Sequence, residues 1–219
     1  MEPIHSNVTY MDRMFTFFFS PLTFYRNLKG VSSLSKFSWL MFFLIFSCYM
    51  SYCISIFPAI HKLTNKIFLE NDLNYSSNIE NFIFIITLIF SAVQFISSVL
   101  VSFFLLHMIG ILVGGSAKAK EFFSYYIFAT LPIGIKFFVL TVFALIFGSD
   151  FAFSFAHSSN NNITLSILSF ISDPFFWWST ILGCIALKES HNLSYKKSII
   201  VTVILLLLGS SSFMLVKLI

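Results

Sequence analysis

LHMIGILVGGSAKAKEFFSYYIFATLPIGIK, Leu106–Lys136, is the stretch in which the chain turns around. It leaves one long apolar run, passes Gly114-Gly115 and the short basic turn of Lys118 and Lys120, and enters a second apolar run. The second run is interrupted by Pro132 and Gly134 and carries one lysine, Lys136, among hydrocarbon side chains. A Gly-Gly pair permits a tight turn with positive φ. Two apolar runs joined by a turn and flanked by lysines are a helical hairpin in a membrane. The rest of the chain is arranged around that hairpin.

The composition agrees. Of 219 residues 58% are hydrophobic and only 10% charged, with 31 phenylalanines; the mean hydropathy is +0.90. A soluble domain carries about a quarter charged residues. Five runs approach or exceed the ~20 apolar residues that a spanning helix needs: about 37–58, 82–113, 122–148, 163–187 and 198–216. They are too long and too continuously apolar for barrel strands. The fold class is all-α: a polytopic membrane protein with five transmembrane helices over 37–219, plus a cytoplasmic N-terminal segment, 1–36, holding an interfacial amphipathic helix. The first span begins only around Phe37, with no charged n-region and cleavage site ahead of it, so no removed signal peptide is expected. Cys48, Cys53 and Cys184 all lie inside apolar runs, where they act as small packing residues.

Charge sets the orientation. With the N-terminus inside, the inner segments hold Arg13, Arg26, Lys29, Lys36, Lys118, Lys120, Lys188, Lys196 and Lys197. The outer segments hold only Lys62, Lys66 and Lys217, and the loop 149–162 holds no basic residue. The positive-inside rule then places the N-terminus in the cytoplasm and the C-terminus outside. The net charge of +4 reports these loop lysines and not a nucleic-acid surface. In the N-terminal segment Ser20 and Pro21 make a helix start, Ser at the N-cap and Pro at the first position. The helix carries Leu22, Phe24, Tyr25 and Leu28 with Arg26 and Lys29, and stops at Gly30. Such a helix lies on the inner membrane surface with its cations facing anionic lipid. The segment 59–81 is expected as an outer loop that extends the first helix or folds over the bundle.

Three polar residues lie within spans. Lys136 is 14 residues from the inner end of its span and 12 from the outer end, about 21 and about 18 Å at 1.5 Å per residue. A lysine at that depth costs ~2.5–3.5 kcal/mol on insertion scales. It must find a partner, a water-filled cavity or a route to the interface. Asp173 lies ten residues inside the outer end of the fourth span, about 15 Å deep. It has two readings: an ion pair with Lys136, or the N-cap of a fresh helix that begins at Pro174. His107, near the inner end of the second span, is expected to hydrogen-bond at a helix interface. His61, His157 and His191 lie in or near loops, and none is expected to join it. Gly183 and Ala186 allow close helix approach. Trp39, Trp177 and Trp178 suit interface anchoring or bundle packing.

No GxSxG, HExxH or Walker sequence is present, and no paired carboxylates share a helix face. Gly114-Gly115 is followed by no GK[ST], so it is not a phosphate loop. These absences point away from an enzyme, and no cofactor or metal is expected.

Several short stretches, in this order along nearly the whole chain, carry a resemblance. They are Ser20-Pro21-Leu22-Thr23-Phe24, Leu112-Val113-Gly114-Gly115, Tyr126-Ile127-Phe128-Ala129-Thr130-Leu131-Pro132, Asp173-Pro174-Phe175-Phe176-Trp177 and Ser194-Tyr195-Lys196-Lys197-Ser198. Together they resemble the Yip (Ypt-interacting protein) family in its short prokaryotic form. The resemblance implies five membrane helices and no enzymatic activity. Eukaryotic members bind Rab-type GTPases through a cytosolic N-terminal region and act in vesicle traffic; here that region is about 36 residues. Short bacterial members resemble accessory membrane proteins, some beside ABC-type exporters that handle or resist antimicrobial peptides.

The expected function is therefore a non-enzymatic accessory or scaffold subunit in a bacterial plasma membrane. Its partners would be the lipid bilayer and the permease subunits of a transporter, with no nucleic acid, and a homo-oligomer is compatible. The alternatives are a small stand-alone transporter or channel, with Pro132, Gly134 and Lys136 marking a broken helix, or a trafficking or immunity protein.

Overall fold

A computed structural model describes residues 16–29, 34–71, 77–156 and 172–218. Among the described residues every regular element is helical. After a helical turn at 16–19 come α1 (Pro21–Asn27), α2 (Leu34–Glu70) and α3 (Ser77–Leu112). The hairpin leads into α4 (Ala119–Ala129) and α5 (Leu131–Phe147), then α6 (Ser149–Ala156), α7 (Pro174–His191) and α8 (Tyr195–Leu218). Three stretches, Leu34–Glu70, Asn78–Leu112 and Ala119–Phe147, are long and apolar enough to cross a membrane.

The boundaries differ from expectation in instructive places. The first span does not end at Pro58: α2 runs through it to Glu70, 37 residues in all, which is the helix extension that 59–81 allowed as one of its two readings. At 1.5 Å per residue that is about 56 Å, well beyond the ~30 Å of bilayer hydrocarbon. The region 149–156, expected as loop, is α6. It turns back at Gly148, whose φ of +93° suits a residue without Cβ. Ala152 of α6 is buried against Tyr52 and Ile56 of α2 and Leu140 and Ala144 of α5. Apolar residues on one face of a short segment drive that docking. Of the expected fourth span, 163–171 lies outside the described residues, as do Arg13 and the stop at Gly30.

The N-terminal segment also departs from expectation. Ser20 makes no side-chain cap; its Oγ lies 2.8 Å from Thr23 Oγ1. The Ser20 N–H closes the preceding turn on Thr16 O at 2.9 Å, while Ser20 itself leaves the helical region at φ −146°, ψ 65°, so α1 starts at Pro21 as expected but without the hydroxyl cap. Nor does α1 lie free on a lipid surface. Tyr25 is fully buried, its ring stacked 5.7 Å from that of Tyr125 in α4, and Phe24 meets Phe128 at 5.3 Å. Phe17 and Phe18 enclose Trp178 of α7. The segment is one wall of the main core.

Core contacts fix the helix directions. Tyr49 of α2 stacks on Phe95 of α3, and Phe57 meets Phe84, so α2 and α3 are antiparallel. Ile45, Tyr49 and Ile56 of α2 meet Gly134, Phe137 and Ala144 in order, so α2 and α5 are parallel. Gly134 sets their distance: a Cβ there would lie 3.0 Å from Ile45 Cγ1 and 3.4 Å from its Cα. Gly134→Ala is therefore expected to lower stability by ~1–3 kcal/mol through overpacking. Thermal unfolding in detergent measures it. The loss should shrink when Ile45→Ala is made in the same chain, and an unchanged midpoint in Gly134→Ala contradicts the close approach.

Candidate functional site

Two polar pairs hold the bundle together. The first is built on a helix break. Pro132 has no N–H to give to the carbonyl of Phe128, and the Ile133 N–H goes to Thr130 O at 3.0 Å. The Ala129 carbonyl is thereby left over. Ser179 of α7 reaches across and donates its Oγ–H to it at 2.7 Å. The Thr130 hydroxyl donates to Ile127 O at 2.8 Å. Freed backbone groups inside a membrane helix are re-satisfied by neighbouring Ser and Thr in this way. The break thus ties α4 and α5 to α7.

One turn further along α5, Lys136 Nζ lies 2.6 Å from Asp173 Oδ2. The other oxygen, Oδ1, accepts from Phe175 N at 3.0 Å and Phe176 N at 3.3 Å. The carboxylate is ion-pair partner and N-cap at once. These two readings are compatible because a carboxylate has two oxygens and about four acceptor sites. The electrostatics are consistent: the anion sits on the positive end of α7 and against a cation. Both side chains are partly buried, and each removes the other's need for solvent.

The second pair was not expected. His107 Nδ1 lies 3.1 Å from His191 Nε2, and both rings are buried. His191 is not in a loop; α7 carries it as its last residue, capped by Asn192 in the left-handed conformation at φ 55°. The pair sits between aromatic rings: His107 stacks on Phe103 and Phe122, and His191 meets Phe122 edge-on. The hairpin closes over it. A Cβ at Gly115 would fall 2.4 Å from His191 Nδ1, so only glycine lets the chain pass. Gly114 takes φ +96°, and Ser116 N–H bonds His191 O at 3.2 Å. His191 Nδ1 is buried without a partner. The tautomer in which His191 donates from Nε2 leaves a lone pair there, a smaller penalty than an orphaned N–H. Among the described residues no group of three or more metal-ligating side chains forms.

Ion pairs and hydrogen bonds gather at the same end. Arg26 Nε lies 3.5 Å from Glu189, which also pairs with Lys188. Lys29 donates to Asn192 Oδ1 at 2.9 Å, and Lys197 to Val113 O at 2.7 Å. Four of the basic residues assigned to the inner side, Arg26, Lys29, Lys188 and Lys197, thus meet at one end of the bundle, where α1, the α3–α4 turn and the α7–α8 turn come together. Arg26 and Lys29 are tied to α7's end.

The family model for the Yip1 domain matches residues 15–216. The chain belongs to the Yip family. No curated protein and no solved structure matches it. The match takes in both polar pairs and all of the helices but the last two residues of α8, so the pairs lie within the Yip1 domain and not in an appended segment.

The Lys136–Asp173 pair is separable from the cap by substitution. Asn caps helices about as well as Asp, whereas Ala costs about 1 kcal/mol more at that position. Asp173→Ala should therefore unfold more easily than Asp173→Asn by about that amount. Lys136→Met should reduce the cost of Asp173→Asn, because it removes the cation left unpaired. Equal costs with and without Lys136, read from thermal unfolding in nanodiscs, contradict the pairing.

Proposed function

We propose that this Yip-family chain crosses a bacterial plasma membrane five times, with its N-terminus cytoplasmic and its C-terminus outside. Its work is non-enzymatic: an accessory or scaffold subunit that packs laterally against a transporter and modulates it. The resemblance of short bacterial members makes an ABC-type exporter of antimicrobial peptides the first candidate. The observation that carries this reading is α3. Only 11% of its most apolar window is buried within the chain, against 33% for α2. Its exposed face runs through Ile85, Ile89, Val93, Ile96, Leu100 and Phe104. A long helix with so little internal packing is suited to contacts outside the chain, where association depends on close fit more than on hydrophobic drive.

The polar groups support the same reading. Lys136, Asp173, His107 and His191 are engaged with each other, and the helix break at Thr130 is closed by Ser179. Their roles are structural on this view. A small transporter in its own right is the second reading, favoured by the broken helix beside an ion pair.

Purification of tagged chain from its native membrane tests the proposal. ATPase and permease subunits are expected at stoichiometric yield. Recovery of the chain alone, with substrate flux in proteoliposomes that contain nothing else, overturns it.

A further inference from the structure

The basic end carries more cations than the bundle uses. Arg26 and Lys188 share Glu189, Lys29 donates to Asn192, and Lys197 donates to Val113 O. The side chains of Lys36, Lys118, Lys120 and Lys196 are exposed and, among the described residues, meet no partner. These four share one layer. Ser116, two residues before Lys118, bonds His191 O through its N–H and lies 3.4 Å from Asn192 Nδ2. That sets the α3–α4 turn against the α7–α8 turn, which leads to Lys196. Ser38, two residues after Lys36, donates to Ser124 O at 3.5 Å, and Ser124 donates to Lys120 O at 3.2 Å. Lys36 and Lys120 therefore lie side by side at the starts of α2 and α4.

The four cations stand at the electrostatically wrong ends of their helices. Lys36 is the third residue of α2, Lys118 the N-cap of α4, Lys120 the second residue of α4 and Lys196 the second residue of α8. Each lies where the helix dipole is positive, so each destabilises the helix that carries it. The first turns of α2 and α8 hold no acidic residue; that of α4 holds Glu121, and Lys118 gives it no side-chain cap. Cations that only marked the side of the membrane would serve equally at the C-terminal ends in this layer, where the dipole favours them. The last turn of α3 has no basic residue, and that of α7 has Lys188 and His191. Unpaired lysines gathered on three helix starts form a surface that lacks an anion.

The surroundings fix the kind of anion. Exposed apolar side chains follow close on the lysines: Phe37 and Leu40 on α2, Ile111 and Leu112 ahead of the hairpin, and Ile199 and Ile200 on α8. Trp39 stands 48% exposed in the same belt. A cationic layer directly above an apolar belt with an exposed tryptophan lies at the height of lipid phosphates. A second copy of this chain would bring the same cations and be repelled from this surface.

We propose that Lys36, Lys118, Lys120 and Lys196 bind the phosphate groups of acidic phospholipids in the leaflet they face. The lipid supplies the negative charge that the starts of α2, α4 and α8 lack, and it stabilises the bundle by doing so. Arg26 and Lys29, the cations expected to face lipid, are engaged with Glu189 and Asn192 instead. The proposal goes beyond the accessory-subunit reading and stands without it.

Thermal unfolding in nanodiscs of phosphatidylcholine, with and without added phosphatidylglycerol, tests it. For the natural chain the midpoint is expected to rise with phosphatidylglycerol. In Lys118→Gln/Lys120→Gln/Lys196→Gln most of that rise should disappear. In phosphatidylcholine alone the triple variant should match or exceed the natural chain, because three cations have left positive helix ends. Lys62→Gln/Lys66→Gln, at the far end of α2, should keep the rise. An unaltered rise in the triple variant, or an equal loss in both variants, overturns the proposal. So does a lower midpoint of the triple variant in phosphatidylcholine, which would give the lysines a purely structural role. Inorganic phosphate separates the sources: if it raises the midpoint in phosphatidylcholine discs as much as phosphatidylglycerol does, the surface is a free-anion site and the lipid assignment fails.

Discussion

A peptide group released from a helix inside hydrocarbon has no water to turn to, and this constraint organises the middle of the bundle. Pro132 breaks the helix that enters at Ala119, and the surplus carbonyl of Ala129 has to be answered from elsewhere. Ser179 answers it, which fixes the height of α7 against α4 and α5. With α7 at that height, Asp173 comes level with Lys136 and His191 with Phe122. The ion pair at one end of α7 and the histidine pair at the other are consequences of the same register. Antiparallel helices held at three polar points along one element cannot slide by a turn without breaking all three. That specificity matters in a membrane, where apolar side chains gain little by choosing each other over lipid.

The basic end shows how the chain is closed. The hairpin needs Gly115 to clear His191 and Gly114 for its positive φ. The α7–α8 turn supplies the carbonyl of His191 and the amide of Asn192 to Ser116. The N-terminal segment then covers the joint, with Tyr25 against Tyr125. Three segments far apart in sequence meet there. Arg26 and Lys29 both serve in this closure.

Much of this was legible in the sequence. The hairpin at Gly114-Gly115, the break at Pro132 and the helix start at Pro174 all follow from turn chemistry and proline geometry. Counting residues to each span end put Lys136 and Asp173 within reach of each other. The same counting, applied to His107 and His191, assigns both to the basic end, yet His191 looked like a loop residue because Lys188 and Glu189 precede it. Charge at a helix end hid a helical residue. The docking of α6 and of Tyr25 depends on surfaces made by other elements, which no local pattern contains. Ser20 and Pro21 do mark the start of α1, but the Ser20 hydroxyl meets the Thr23 hydroxyl and caps no backbone N–H.

The proposed layout crosses the membrane an odd number of times, and labelling of single cysteines from one side of the membrane tests that most directly. In a chain with Cys48, Cys53 and Cys184 replaced, a membrane-impermeant maleimide is applied to intact cells. Cysteine in place of Lys217 is expected to react, and cysteine in place of Lys29, Lys118 or Lys196 only after the membrane is opened. Reaction of the Lys29 and Lys217 positions under the same condition would contradict it.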